Sequence, residues 1–244
     1  MDKARDANVI PVTIDPLVLM TDVEQATETL LRTVGGFDDP VIGEPSALPG
    51  WTVGHVLTHL ARNADALTNL LTWARTGVET PAYPSREARD AAIEAGAGRP
   101  LAEQLADLRA AHERFADAAA AMPAAAWTFS YPAMVPSAAV VPWARLREVE
   151  VHHVDLGRGY TPAEWSDAFA LRLLREIAGD LPASAPPMVL HPAGVEHPLV
   201  IGSADGPAIG GPTRSIAAWL AGRADGADLT VSPDGELPQP VQWK

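Results

Sequence analysis

The chain of 244 residues contains no cysteine. That excludes disulfides, a cysteine nucleophile and thiolate metal ligands from this chain, so any thiol chemistry must borrow its sulfur from a small molecule. Lysine is nearly missing as well: Lys3 and Lys244 are the two examples, and arginine carries the rest of the positive charge. Cations are outnumbered, 18 Lys and Arg against 31 Asp and Glu, and the net charge of −13 argues against nucleic acid and anionic membranes as partners. No run of about 18 apolar residues exists to span a bilayer. The opening MDKARDANVIPVTIDP lacks the charged-then-apolar pattern of a secretory signal, so a cytoplasmic protein is expected. There is no internal repeat. Gly202, Gly206, Gly210 and Gly211 do not lie between a strand and a long helix as a phosphate-cradling loop requires, and they read as turns.

What is present is ordinary for a globular protein: 47% apolar and 20% charged residues, enough chain for one large or two modest domains. Helical periodicity predicts helices over 18–34, from the N-cap Thr52 through 75, over 86–95, 100–122, 143–158 and 165–179. The long second helix carries an apolar face of Val53, Leu57, Leu60, Ala64, Leu67 and Leu71, with His59 at its border and His55 turned further out. The prolines of 124–142 make that segment loop and turn. After Pro182 the texture changes, with short strands expected at 188–191, 199–201 and 229–231 and a helix at 213–222. The fold class is therefore mainly α with a small α+β domain: a helical domain at 1–160, a connecting helix at 161–181 and the α+β domain at 182–244. Trp51 is expected to pack at its helix start, and Trp143, Trp165 and Trp219 to fill the interior. His112, His191 and His197 are read as surface or loop residues.

The stretch Arg147–Tyr160, REVEVHHVDLGRGY, holds the densest chemistry. On a helix, Glu148, His152 and Asp155 follow i, i+4, i+7 and share one stripe between apolar residues. A carboxylate and an imidazole one turn apart can grip the same ion, and with His59 they make a His/Glu/His set of the kind catalytic zinc uses. An isolated E-x-x-x-H is also an ordinary helix pair, and Glu150 with His153 forms a second possible pair on another face. Spacing alone does not choose between them. Arg89 and Arg223 are candidate carboxylate-binding groups, because a guanidinium presents a fork of donors.

Taken together, LPGWTVGHVLTHLARNADAL, RLREVEVHHVDLGRGY and AAWLAGRADG resemble the mycothiol-dependent maleylpyruvate isomerase family of DinB-like metalloenzymes, over about Val18 to Trp243. The resemblance implies an up-and-down four-helix bundle followed by a small α/β domain. It implies zinc bound by His59, Glu148 and His152, the His-x-x-Asp continuation to Asp155 deciding against Glu150 and His153. It implies that Arg89 and Arg223 bind substrate or thiol carboxylates and serve catalysis. The implied reaction uses mycothiol as thiol cosubstrate and converts maleylpyruvate to fumarylpyruvate by addition, bond rotation and elimination. A mycothiol S-transferase or thiol-exchange enzyme acting on another electrophile is the alternative. A monomer or small homo-oligomer is expected.

Overall fold

A computed structural model describes residues 15–132, 137–182, 184–239 and 243. They fall into two compact units that meet in sequence between Arg158 and Gly159.

The first unit is built on α1 (Pro16–Gly35), α2 (Val53–Thr76), α3 (Arg86–Ala97), α4 (Leu101–Ala120) and α5 (Val141–Asp155). Helices α1, α2, α4 and α5 form a four-helix bundle in which α2 touches α4 and α5, and α1 touches the same two. Their senses follow from paired side chains. Thr58, Arg62 and Asp65 meet Gln104, Asp107 and Arg114 in ascending order, so α2 and α4 run the same way. Asn63 and His59 meet Arg145 and Glu148 in descending order, so α5 runs against α2. Thr33 meets His153 near the C-terminal ends of α1 and α5, which are parallel. The order is up, down, down, up rather than strictly alternating, with α3 as the crossover that returns the chain for α4.

Apolar spacing explains why these helices bury the faces they do. Val53, Leu57, Leu60, Ala64, Leu67 and Leu71 are all buried, as are Leu30 and Val34 of α1, Leu108 and Phe115 of α4 and Leu146 and Val149 of α5. Helix α2 starts on a reciprocal cap: the Thr52 hydroxyl accepts from the His55 amide, and His55 Nδ1 accepts from the Thr52 amide. Helix α3 lies against α2 at a glycine. A Cβ on Gly54 would stand 2.0 Å from the Ala97 carbonyl oxygen, so only glycine permits this approach. Buried Gln104 donates to the Gly96 oxygen at 2.9 Å, satisfying the end of α3 and tying it to α4. The C-terminal end of the crossover helix is thus pinned to α2 and α4, and its first turns carry Arg89.

The second unit contains α6 (Asp167–Asp180), β1 (Met188–Pro192), β2 (Leu199–Ile201), β3 (Ala208–Gly211), α7 (Thr213–Leu220) and β4 (Thr230–Ser232). The sheet order is β2-β1-β3-β4; β1 and β3 are parallel and both edge strands antiparallel. Helix α6 packs on α7 and β2, within this unit, so the segment expected at 161–181 as a connector is part of the α+β layer. Strand β3 corrects the reading of Gly210 and Gly211 as turns. Both sit in a central strand, where a Cβ on Gly210 would meet the Thr230 hydroxyl at 2.9 Å and one on Gly211 a Leu229 methyl at 2.6 Å. The glycines let β4 and its approach close against the strand. Trp165 and Trp219 are buried here and Trp143 in the bundle.

Candidate metal centre

Helix α2 contributes His59 and α5 contributes Glu148, His152 and Asp155. Because α2 and α5 are antiparallel neighbours, the first turns of one face the last turns of the other, and the side chains converge inside the bundle. His59 Nε2 lies 2.9 Å from Glu148 Oε2, and His152 Nε2 lies 3.5 Å from the same oxygen. The two imidazole rings meet edge to face with centroids 4.6 Å apart. One donor atom from each of His59, Glu148 and His152 lies within 4.8 Å of the others. Ligands about 2.0–2.2 Å from a tetrahedral zinc are themselves about 3.3 Å apart, so this donor set has the chemistry and spacing zinc takes in catalytic sites.

The surroundings orient the donors. His152 Nδ1 lies 2.8 Å from Oδ2 of buried Asp155, an arrangement that holds a proton on Nδ1 and turns Nε2 toward the cluster. Glu148 uses Oε2 for the histidines, while its Oε1 lies 3.5 Å from Arg147. The Trp51 ring meets His59 edge-on at 5.6 Å and forms an apolar wall. Arg89 of α3 donates from Nη2 to His59 Nδ1 at 3.3 Å and from Nη1 to Asp90 at 2.7 Å.

The protonation pattern is that of a salt cluster. Burial pulls the His59 pKa down, and the hydrogen bond it donates to Glu148 only partly offsets it. Burial acts the same way on His152, but Asp155 and Glu148 overcome it and raise this histidine to about 9. Burial alone would raise Glu148; the hydrogen bonds of His152 and His59 instead hold it well below the usual carboxylate range. Without metal at neutral pH the cluster is a carboxylate flanked by one imidazolium, His152, and one neutral imidazole, His59.

The other histidines have separate employment. His153 Nε2 is 3.0 Å from the Thr33 hydroxyl, on the α1 side of the bundle, so it is not brought into the cluster. His55 caps α2 and lies 3.1 Å from Glu94. His112, expected at the surface, is buried and lies 2.8 Å from Glu24; it faces α1 across the bundle, which a single-helix pattern could not show. Arg223 belongs to the second unit, where it follows α7 and donates from Nη1 to the Ala221 carbonyl at 2.6 Å. The sequence singles out Asp155 without giving it a chemical role and assigns Trp51 only packing. It does not point to Arg147, Tyr83 or Arg145 at all; of these only Arg147 carries a signal, its place next to Glu148.

An antiparallel helix pair of a four-helix bundle converges two histidines and a glutamate on one point, a candidate metal site. The family model for the mycothiol maleylpyruvate isomerase N-terminal domain matches residues 23–157, more than half of the chain, and the chain belongs to that family. Among solved structures, the mycothiol-dependent maleylpyruvate isomerase is similar at 29% identity with a TM-score of 0.85, covering 94% of this chain and 98% of that one. A histidine-to-alanine mutant of the mycothiol-dependent maleylpyruvate isomerase is similar at 28% identity with a TM-score of 0.84 and the same coverage. Among curated proteins none matches by sequence. The DinB-like bundle with a small C-terminal α/β unit is thus the fold of this chain. Among the described residues no helix is long and apolar enough to cross a membrane.

Proposed function

We propose that this chain is a zinc- and mycothiol-dependent cis–trans isomerase that converts maleylpyruvate to fumarylpyruvate. The observation that carries the reading is the convergence of His59, Glu148 and His152 on one point in a member of this family that has no cysteine of its own.

His59, Glu148 and His152 are the proposed ligands, giving two neutral imidazoles and one negative charge. When bound, the zinc ion supplies a Lewis acid whose open position holds a thiol as thiolate near neutral pH. Asp155 keeps the His152 proton on Nδ1, so Nε2 keeps its lone pair for the ion. A ligating His59 Nε2 places that ring's proton on Nδ1, the atom to which Arg89 donates in this structure. The Arg89 contact is then lost, and its guanidinium turns to a substrate carboxylate. Arg223 is likewise proposed to bind a substrate or thiol carboxylate.

The thiolate sulfur gives an electron pair to one alkene carbon of maleylpyruvate, and the π pair moves onto the neighbouring carbonyl as an enolate. The carbon–carbon bond is now single and rotates. Collapse of the enolate re-forms the double bond in the trans geometry and expels the thiolate, so no proton, electron or thiol is consumed. Arginines on the carboxylates stabilise the enolate charge as it develops.

The experiment is turnover of maleylpyruvate, followed by its absorbance, with zinc-loaded protein and mycothiol. Turnover that requires both supports the isomerase, whereas none at full zinc occupancy rejects this substrate. The identity of 28–29% to the solved isomerase leaves room for a second reading, a mycothiol S-transferase, in which the sulfur stays on the electrophile. A stable thiol conjugate in mass spectra distinguishes it.

A further inference from the structure

Arg145 is fully buried, at 0% exposure, in the bundle interior between α2 and α5. Its Nη1 donates to the Leu60 carbonyl at 2.8 Å and to Asn63 Oδ1 at 2.9 Å, both neutral acceptors. Its Nε and Nη2 are buried with no hydrogen-bond partner among the described residues. These two N–H groups lie on one edge of the guanidinium and point the same way, which is the edge that grips a carboxylate with two parallel hydrogen bonds. The Tyr83 hydroxyl, from the segment joining α2 to α3, is likewise buried, with Arg89 the nearest group that favours its ionised form. Arg145 and Tyr83 lie close enough for each to shift the other's ionisation, and Arg89 stands 6.0 Å over the Tyr83 ring.

Orphaned buried donors are uncommon because each forgoes water without replacement. Here two belong to one cationic guanidinium, with the buried Tyr83 hydroxyl in the same locality. Burial lowers the Arg145 pKa to about 10, so it stays charged at neutral pH. Glu148 does not neutralise it at close range: its two oxygens are directed to His59, His152 and Arg147. An incoming carboxylate would therefore meet a desolvated positive charge whose fork is already aligned, in a medium that screens weakly.

The position is as informative as the chemistry. Arg145 precedes Glu148 by three residues on α5, about 4.5 Å along the axis, and its α2 partners Leu60 and Asn63 follow His59. The guanidinium is thus one turn deeper in the bundle than the histidine–glutamate cluster.

We propose that the Nε/Nη2 edge of Arg145 and the Tyr83 hydroxyl form a carboxylate subsite that takes one end of a short dicarboxylate whose reacting carbon lies at the metal cluster. The assignment of the reacting end rests on the function proposed above; the subsite itself does not. Because the edge is enclosed, entry requires a side chain to move aside.

The test is calorimetric titration of succinate, an unreactive short dicarboxylate, into metal-free and zinc-loaded protein, with its neutral diamide as control. Succinate is expected to bind and the diamide not. Tyr83→Phe, which removes one hydroxyl and fills the same space, should weaken succinate about tenfold, and Arg145→Lys, which keeps charge but loses the fork, at least as much. Both should keep the wild-type zinc stoichiometry. If Arg145→Lys does not fold, Tyr83→Phe decides. Unchanged affinity in either folded variant, equal binding of the diamide, or no succinate binding by the wild type overturns the subsite. Loss of zinc or thiol binding with Arg145-dependent succinate binding intact would instead refute the proposed function and leave the subsite standing.

Discussion

His152 and Asp155 are joined by a 2.8 Å hydrogen bond between Nδ1 and Oδ2, three residues apart on α5. The bond sets which nitrogen of His152 faces the cluster. Asp155→Ala is expected to weaken zinc binding by about 10- to 100-fold, read by competition with a chromophoric chelator. Asp155→Asn should lose less, because the amide oxygen still accepts the Nδ1 proton.

The same pair gives the metal-free protein a pH signature. His152 is raised to about 9, so its contribution to stability is fully present below about 6.5 and is lost as pH rises through 9. Glu148 is depressed, so its contribution is present above the ordinary carboxylate value and is lost as pH falls through its lowered one. The melting temperature of metal-free protein should therefore drop between pH 7 and pH 10. Zinc must displace the His152 proton, and its affinity should rise about tenfold per pH unit toward pH 9. Both are read by scanning calorimetry and chelator competition at several pH values.

Arg89 should separate binding from chemistry. Its donation to His59 Nδ1 favours the metal-free state, and its charge repels a cation. Arg89→Ala should bind zinc as tightly as wild type or a few-fold more tightly. Turnover should nonetheless fall by about 100-fold or more as a carboxylate contact is lost. Parallel zinc titrations and kcat/KM measurements check this.

Gly54 tests how the crossover helix is held. Gly54→Ala places a methyl into the Ala97 carbonyl, which is backbone and cannot rotate away. A loss of about 1–3 kcal/mol in stability is expected from denaturant titration, with a rise in KM because α3 carries Arg89.

Much of the bundle is legible in the chain because its signals are local. The α2 face from Val53 to Leu71 follows helical spacing, the Thr52 cap is a one-residue signal, and E-x-x-x-H-x-x-D places Glu148, His152 and Asp155 on one stripe. What escaped is set by neighbours far away in sequence. Strand β3 contains two glycines that read as turns because the reason for them, the approach of Leu229 and Thr230, is some twenty residues downstream. His112 looks like a surface residue until α1 supplies Glu24. Nothing around Arg145 distinguishes it from a solvated helix arginine; only the pairing of α5 with α2 buries it. The choice between His152 and His153 is of the same kind. Adjacent residues point to different helices, and the family pattern rather than spacing named His152.

The proposed function requires that His59, Glu148 and His152 hold one zinc ion. Metal analysis of purified wild type beside His59→Ala, Glu148→Ala and His152→Ala, each shown to be folded by its melting curve, tests it most directly. One zinc per chain is expected in the wild type, with most of it lost in every variant. Wild-type zinc content in the folded variants, or no zinc in a wild type purified with zinc present, would contradict it.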